Sequence, residues 1–106
     1  MRIDGHHHLW SPARGDYGWL TPELTPLYRD FALPDLTPHL AAAGIEGTIL
    51  VQAAPTEAET LYLLGIAESA DLVRGVVGWT DFDAAAGGAR IEALAAWNLL
   101  DRKSVV

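Results

Sequence analysis

The sequence predicts an α/β fold with a parallel sheet. Three observations carry that expectation. Strand-like and helix-like segments alternate along the chain. The second strand segment, Thr48-Ile49-Leu50-Val51, is a near-continuous apolar run, as in strands buried on both faces. The breaks between segments carry turn and cap residues, notably Gly44, Pro55 and Thr56. Parallel strands joined by right-handed crossovers give two architectures: an open doubly wound sheet, or the opening third of an eightfold barrel. No Gly-rich phosphate fingerprint follows strand one or two, which weighs against the nucleotide-binding form of the first.

Residues 2–8 read as the first strand. Residues 9–34 form a long connection broken by Pro12, Gly15, Gly18, Pro22, Pro26 and Pro34. It carries Trp10, Tyr17, Trp19, Tyr28 and Phe31, too many aromatics for a flexible linker, so it is expected to fold over something and to hold short helical turns. Residues 35–43 read as a helix, with Gly44 at the left-handed C-terminal position. Residues 45–53 contain the second strand. Thr56-Glu57-Ala58-Glu59 matches a capping box, in which Glu59 reaches back to the Thr56 amide. The helix it opens runs to about Ala70, with Leu61, Leu64 and Glu68 at helical spacing and Leu63, Ile66 and Ala67 widening the apolar stripe. Residues 72–79 read as the third strand, Asp81-Phe82-Asp83 as a turn, and residues 88–97 as a third helix.

The chain has 106 residues, half of them hydrophobic, which suits one small globular unit. Seven Lys and Arg against fourteen Asp and Glu leave a net charge of −7, which repels phosphate backbones and argues against nucleic-acid partners. The absence of Cys removes disulfides and thiolate zinc sites. No apolar run approaches the roughly 20 residues of a membrane span, and Asp4 and His6 interrupt any signal-peptide core, so a cytoplasmic protein with no membrane partner is expected. The sequence carries no signal for oligomeric state.

His6-His7-His8 closes the first strand. Three histidines are short for an affinity tag, and Leu9-Trp10 follow where a linker would be expected. In an extended strand His6 and His8 share a face with Asp4, and His7 points the other way. Two imidazoles on one side can hold a metal or poise a water. Asp4 sits one layer deeper and reads as structural; His7 reads as a packing residue with a hydrogen bond, and His39 as surface or structural. In either architecture function gathers at the C-terminal ends of the strands, where His6, His8, Gln52, Trp79 and Asp81 fall. Gln52 can donate an amide hydrogen to a substrate hydroxyl or carbonyl. Trp79 offers a wall for a sugar ring or packs the core, Asp81 accepts hydroxyl hydrogens or caps the next helix, and Trp10, Trp19 and Tyr28 form a lid or pack the loop.

Ile3-Asp4-Gly5-His6-His7-His8-Leu9-Trp10 resembles the opening of the amidohydrolase superfamily, whose His-x-His pair ends the first barrel strand. Asp16-Tyr17-Gly18-Trp19-Leu20, Tyr28-Arg29-Asp30-Phe31, Pro34-Asp35-Leu36, Val51-Gln52-Ala53 and Gly75-Val76-Val77-Gly78-Trp79 resemble its sugar-lactone lactonase branch. The similarity spans about residues 2–97. It implies the first three strand–helix units of a truncated (β/α)8 TIM barrel, a fold that takes at least ~200 residues when complete. It implies hydrolysis of a lactone ring ester, a small-molecule substrate, and catalytic His6 and His8 as ligands of one divalent metal, zinc or manganese. Some lactonases of this branch work without metal, and the residues leave both routes open. It also implies a later-strand His and a last-strand Asp that residues 1–97 do not supply, so the chain alone is expected to be inactive. Two other readings stand beside it: a metal-dependent decarboxylase on the same barrel, and a non-enzymatic metal-binding or interaction module.

Residues 98–106 do not resemble the family. Asp101-Arg102-Lys103-Ser104-Val105-Val106 matches in-frame readthrough of a widely used sequencing adapter, GAT-CGG-AAG-AGC-GTC-GTG, whose next codon, TAG, is a stop. The tail is therefore expected to be artificial.

Overall fold

The structure, a computed structural model, describes residues 2–80 and 104–105. Its elements are β1 (Ile3–His7), α1 (Leu33–Ala43), β2 (Gly47–Val51), α2 (Glu57–Ser69), β3 (Val73–Val77) and β4 (Ser104–Val105). The pairings between these strands are parallel, and the strands lie in the order β1-β2-β3-β4. A doubly wound sheet reverses its strand order at a switch point, whereas a barrel adds each strand beside the last. The sequential order is that of a barrel's opening, and the first three strands of a doubly wound sheet share it, so the pairing is compatible with both arrangements. β4 was not anticipated: its two residues pair with Gly75 and Val76 from within the tail. The turn at residues 81–83 and the helix expected at 88–97 lie outside the described residues.

α2 covers the sheet through Thr60, Leu63, Leu64 and Ala67, all fully buried, against Leu50, Val73 and Val76. These positions follow the i, i+3, i+4, i+7 stripe of a helix face. Leu61 falls about a quarter-turn off the stripe and is exposed, which corrects its expected place on the apolar face. α1 starts two residues earlier than expected, because Pro34 sits in its first turn, where no amide donor is needed. Asp35 accepts the Ala32 amide at 2.9 Å and so caps that start. Gly44 ends α1 at φ 70°, as the sequence predicts, and its amide donates to the Leu40 and Ala41 carbonyls.

The long connection is closed at its base by a two-way backbone bridge, Trp10 to Phe31, at 3.1 and 2.9 Å. It contains the expected helical turn at Pro12–Arg14. What it folds over is the start of α2. Glu59, fully buried, accepts from Arg14 at 2.6 Å, from the Tyr17 hydroxyl at 2.8 Å and from the Ala53 amide at 2.9 Å. The Thr56 hydroxyl accepts the Glu59 amide at 3.0 Å and donates to Asp16 at 2.7 Å. The capping box is thus half formed. The Glu59 carboxylate serves Ala53 and the loop, not the Thr56 amide, because a half-buried arginine and a buried phenol compete for it.

Candidate active site at the end of the first strand

The sheet's C-terminal edge carries the site. His6 and His8 lie on one face, rings 4.9 Å apart and Nε2 atoms 3.2 Å apart. The Asp4 Oδ1 accepts the His6 backbone amide at 3.2 Å. His8 Nδ1 stands 2.9 Å from the Val51 carbonyl at the end of β2. A carbonyl can only accept, so His8 Nδ1 carries the proton, and a neutral His8 offers a bare Nε2 lone pair. His6 Nε2–H then donates to it. β2 thereby sets the tautomer of a side chain at the end of β1, the arrangement usual behind metal-binding histidines.

The pair fits a shared ion. Two nitrogens each ~2.0–2.1 Å from one tetrahedral zinc stand about 3.3–3.4 Å apart, close to the 3.2 Å observed. Among the described residues no group of three or more His, Cys, Asp or Glu is placed to hold a metal.

A cavity of about 350 Å³ opens beside His8, with Trp10, Trp19, Gln52, Ala53, Ala54 and Pro55 as its other walls. Gln52 is half-buried, its backbone held by the Val77 carbonyl at 2.9 Å. The structure thus brings together His6, His8, Trp19 and Gln52. It does not bring Tyr28 or Trp79 to this cavity. Tyr28 lines a separate hollow with Pro12, Gly15, Tyr17 and Leu20. Trp79 is held through its backbone, whose N–H and C=O both meet the Thr60 hydroxyl at 2.7 Å. Asp81 lies outside the described residues.

His7 points to the opposite face, as strand alternation requires, and is buried. The hydrogen bond expected of it is absent: neither ring nitrogen has a partner among the described residues. Burial is the main cause that lowers its pKa, with Asp4 opposing. His39 lies near it, across a second hollow. Sequence reasoning missed Arg14, Tyr17 and Glu59 as the frame of the site. Burial, then the hydrogen bond and charge of Glu59, push the Tyr17 phenol well above its ordinary value. No local signal distinguishes such a glutamate from a capping one.

A parallel sheet in sequential order with a histidine pair at the C-terminal end of its first strand is the arrangement expected at the opening of a (β/α)8 barrel. No protein-family model matches the chain. Over 95 residues, 90% of its length, it is 43% identical to an L-fucono-1,5-lactonase of Burkholderia ambifaria, of which it covers 33%. Two crystal structures of an amidohydrolase from Burkholderia multivorans superpose with a TM-score of 0.80. One holds HEPES, with 33% identity over 88% of this chain; the other holds zinc, with 34% identity over 87%; each is covered to 32%. The chain spans about a third of the length of the relatives it matches. Fold and similarity agree on a segment that resembles about a third of a lactonase or amidohydrolase chain. No helix among the described residues is long and apolar enough to cross a membrane.

Proposed function

We propose that the complete barrel to which this segment belongs hydrolyses the ring ester of a sugar lactone. The observation that carries this reading is the His6–His8 pair, its Nε2 atoms 3.2 Å apart and His8 opening onto a cavity that also holds Gln52 and Trp19. Water adds to the lactone carbonyl carbon, the ring C–O bond breaks, and the ring oxygen leaves as the alcohol of a hydroxy acid. A divalent metal, held by Nε2 of His6 and His8, supplies polarisation of the carbonyl or activation of the water when bound. His8 donates Nδ1–H to Val51, so its Nε2 lone pair faces the cavity. To hold the ion as well, His6 would carry its proton on Nδ1 and present Nε2. The Gln52 amide donates to the carbonyl or to a ring hydroxyl, where negative charge develops. The Trp19 ring shields that region from water.

The zinc in the Burkholderia multivorans relative supports a metal for this chain. The lactonase relative makes a fucono-lactone the first substrate to test. A complete barrel is obtained by placing residues 1–97 of this chain in the matching stretch of the Burkholderia ambifaria enzyme. Assayed against aldonolactones and against aromatic acids, it is expected to open lactones and to release no carbon dioxide. Decarboxylation without lactone opening overturns the reading. The 106-residue chain alone is expected to show no turnover, because its site holds two ligands of a larger set.

A further inference from the structure

Glu59 places a carboxylate where water does not reach. Its side chain is fully buried, and its cationic partner, Arg14, is 20% exposed and stands 2.6 Å away. The start of α2 does not need that carboxylate. The Thr56 hydroxyl already accepts the Glu59 amide. An apolar side chain in the same place would adjoin Tyr17 and Ala53, which belong to the apolar cluster around Leu20 and Ala54. Exchanging a buried ion pair for apolar side chains of similar volume commonly leaves stability unchanged or raises it. Removing one partner alone is costly, because the other charge is then stranded. Stability is therefore a poor reason for the pair.

What apolar packing does not supply is direction. Glu59 Oε1 takes Arg14 and the Tyr17 hydroxyl from the long loop, and Oε2 takes the Ala53 amide from the end of β2. Arg14 is itself held by Asp16 at 3.1 Å, and its guanidinium carbon lies 4.2 Å over the Tyr62 ring. The contacts close a circuit. Tyr17 packs on Trp19 at 6.1 Å, Trp19 Nε1 donates to the Ala53 carbonyl at 2.8 Å, and the Ala53 amide returns to Glu59. That amide shares a peptide plane with the Gln52 carbonyl, so the carboxylate fixes the plane that follows Gln52. Gln52 and Trp19 both line the cavity beside His8, and Trp19 is one wall of it.

We infer that Arg14 and Glu59 are positioning residues of this site: their ion pair places Trp19 and Gln52 around the cavity and adds little net stability. Neither residue lines the cavity; both act through Tyr17, Trp19 and Ala53. The effect on turnover rests on the lactonase reading above, and the effect on placement does not.

The test uses the complete barrel carrying residues 1–97 as the parent, as Arg14→Met, and as a triple variant, Arg14→Met with Tyr17→Phe and Glu59→Leu. The triple variant removes both charges and the phenol hydroxyl and keeps the ring that faces Trp19. It is expected to melt above Arg14→Met and close to the parent. Its kcat/KM for a fucono-lactone is expected to fall by about 10- to 100-fold. The Trp19 indole N–H bonds to none of the three replaced residues, and in the folded triple variant it is expected to exchange with solvent at least about tenfold faster. A merely structural pair would leave that signal unmoved once stability is restored. A triple variant that fails to fold, or melts no higher than Arg14→Met, overturns the inference. So does one that keeps the parent's kcat/KM or its Trp19 exchange rate. If the folded parent opens no lactone, the lactonase reading falls and the Trp19 signal decides placement alone. Faster exchange in the triple variant then upholds it, and unchanged exchange overturns it.

Discussion

Glu59 Oε2 accepts the Ala53 amide at 2.9 Å, across the junction between the end of β2 and the start of α2. Through its other oxygen the same carboxylate holds Arg14 and Tyr17, so one fully buried side chain joins the long loop, the second strand and the second helix. The candidate site inherits its shape from that junction. Gln52 precedes Ala53, and Trp19 rests on the Ala53 carbonyl.

Glu59→Gln is expected to destabilise the fold and loosen the wall together. A Gln side chain that keeps Arg14 and Tyr17 turns its amide donor toward the Ala53 N–H, leaving two donors face to face. The expected cost is about 2–4 kcal/mol in chemical denaturation. The Trp19 indole N–H signal is expected to lose the shift of a bonded donor. Unchanged stability with Trp19 still bonded contradicts the role given to Glu59.

Gly78 is expected to tolerate no side chain while Thr60 is present. A Cβ at Gly78 would stand 2.6 Å from the Thr60 methyl and 3.1 Å from its hydroxyl oxygen. That hydroxyl cannot retreat without losing both backbone bonds to Trp79. Gly78→Ala is expected to cost about 1–3 kcal/mol. Adding Thr60→Ser, which removes the methyl and keeps the hydroxyl, is expected to restore a good part of it, as a double-mutant cycle would show.

His7 ties stability to pH. Burial lowers its pKa from the ordinary 6.5. Above 6.5 it is neutral in both the folded and the unfolded chain and contributes no pH dependence. As pH falls below that value the unfolded chain takes up a proton that the folded chain refuses, and the folded state loses stability until the lowered folded pKa is passed. His7→Phe keeps a flat ring of similar size and removes the titration. Denaturation of the metal-free protein at neutral pH and at about pH 5 is expected to show a smaller loss for His7→Phe than for the parent. Equal losses contradict the assignment.

The tail from Asp101 to Val106 is proposed to be read from adapter DNA rather than from a gene. The coding DNA is expected to carry GAT-CGG-AAG-AGC-GTC-GTG over those codons. Other codons, or continuous genomic sequence through and beyond them, contradict it. The short pairing of Ser104 and Val105 with β3 is compatible with this origin, since strand pairing needs only backbone groups.

Much of this architecture is legible in the sequence. Alternation, the apolar run at residues 48–51 and the glycine at position 44 are local patterns, and each stands where expected. Strand alternation separates His7 from His6 and His8 correctly. Strand order is not local, and the pairing of β1 with β2 and β2 with β3 is common to both architectures, so it took the likeness to the amidohydrolase structures to choose between them. The frame of the site was hidden for the same reason. Glu59 obeys the capping-box pattern, yet its partners Arg14 and Tyr17 lie more than forty residues away in sequence, and only packing selects them. Trp19 and Tyr28 look alike on the loop, but the turns between them send one to the histidine cavity and the other to a separate hollow.

The central claim is that His6 and His8 act together in opening a lactone. The direct measurement is kcat in the complete barrel carrying residues 1–97, with His6→Ala and His8→Ala singly and combined, folding being checked by circular dichroism. Each single change is expected to lower kcat by at least about a hundredfold, and the double change by little more than either alone, because one removed partner already disables the pair. Folded variants that retain lactone turnover near the parent rate would contradict the account.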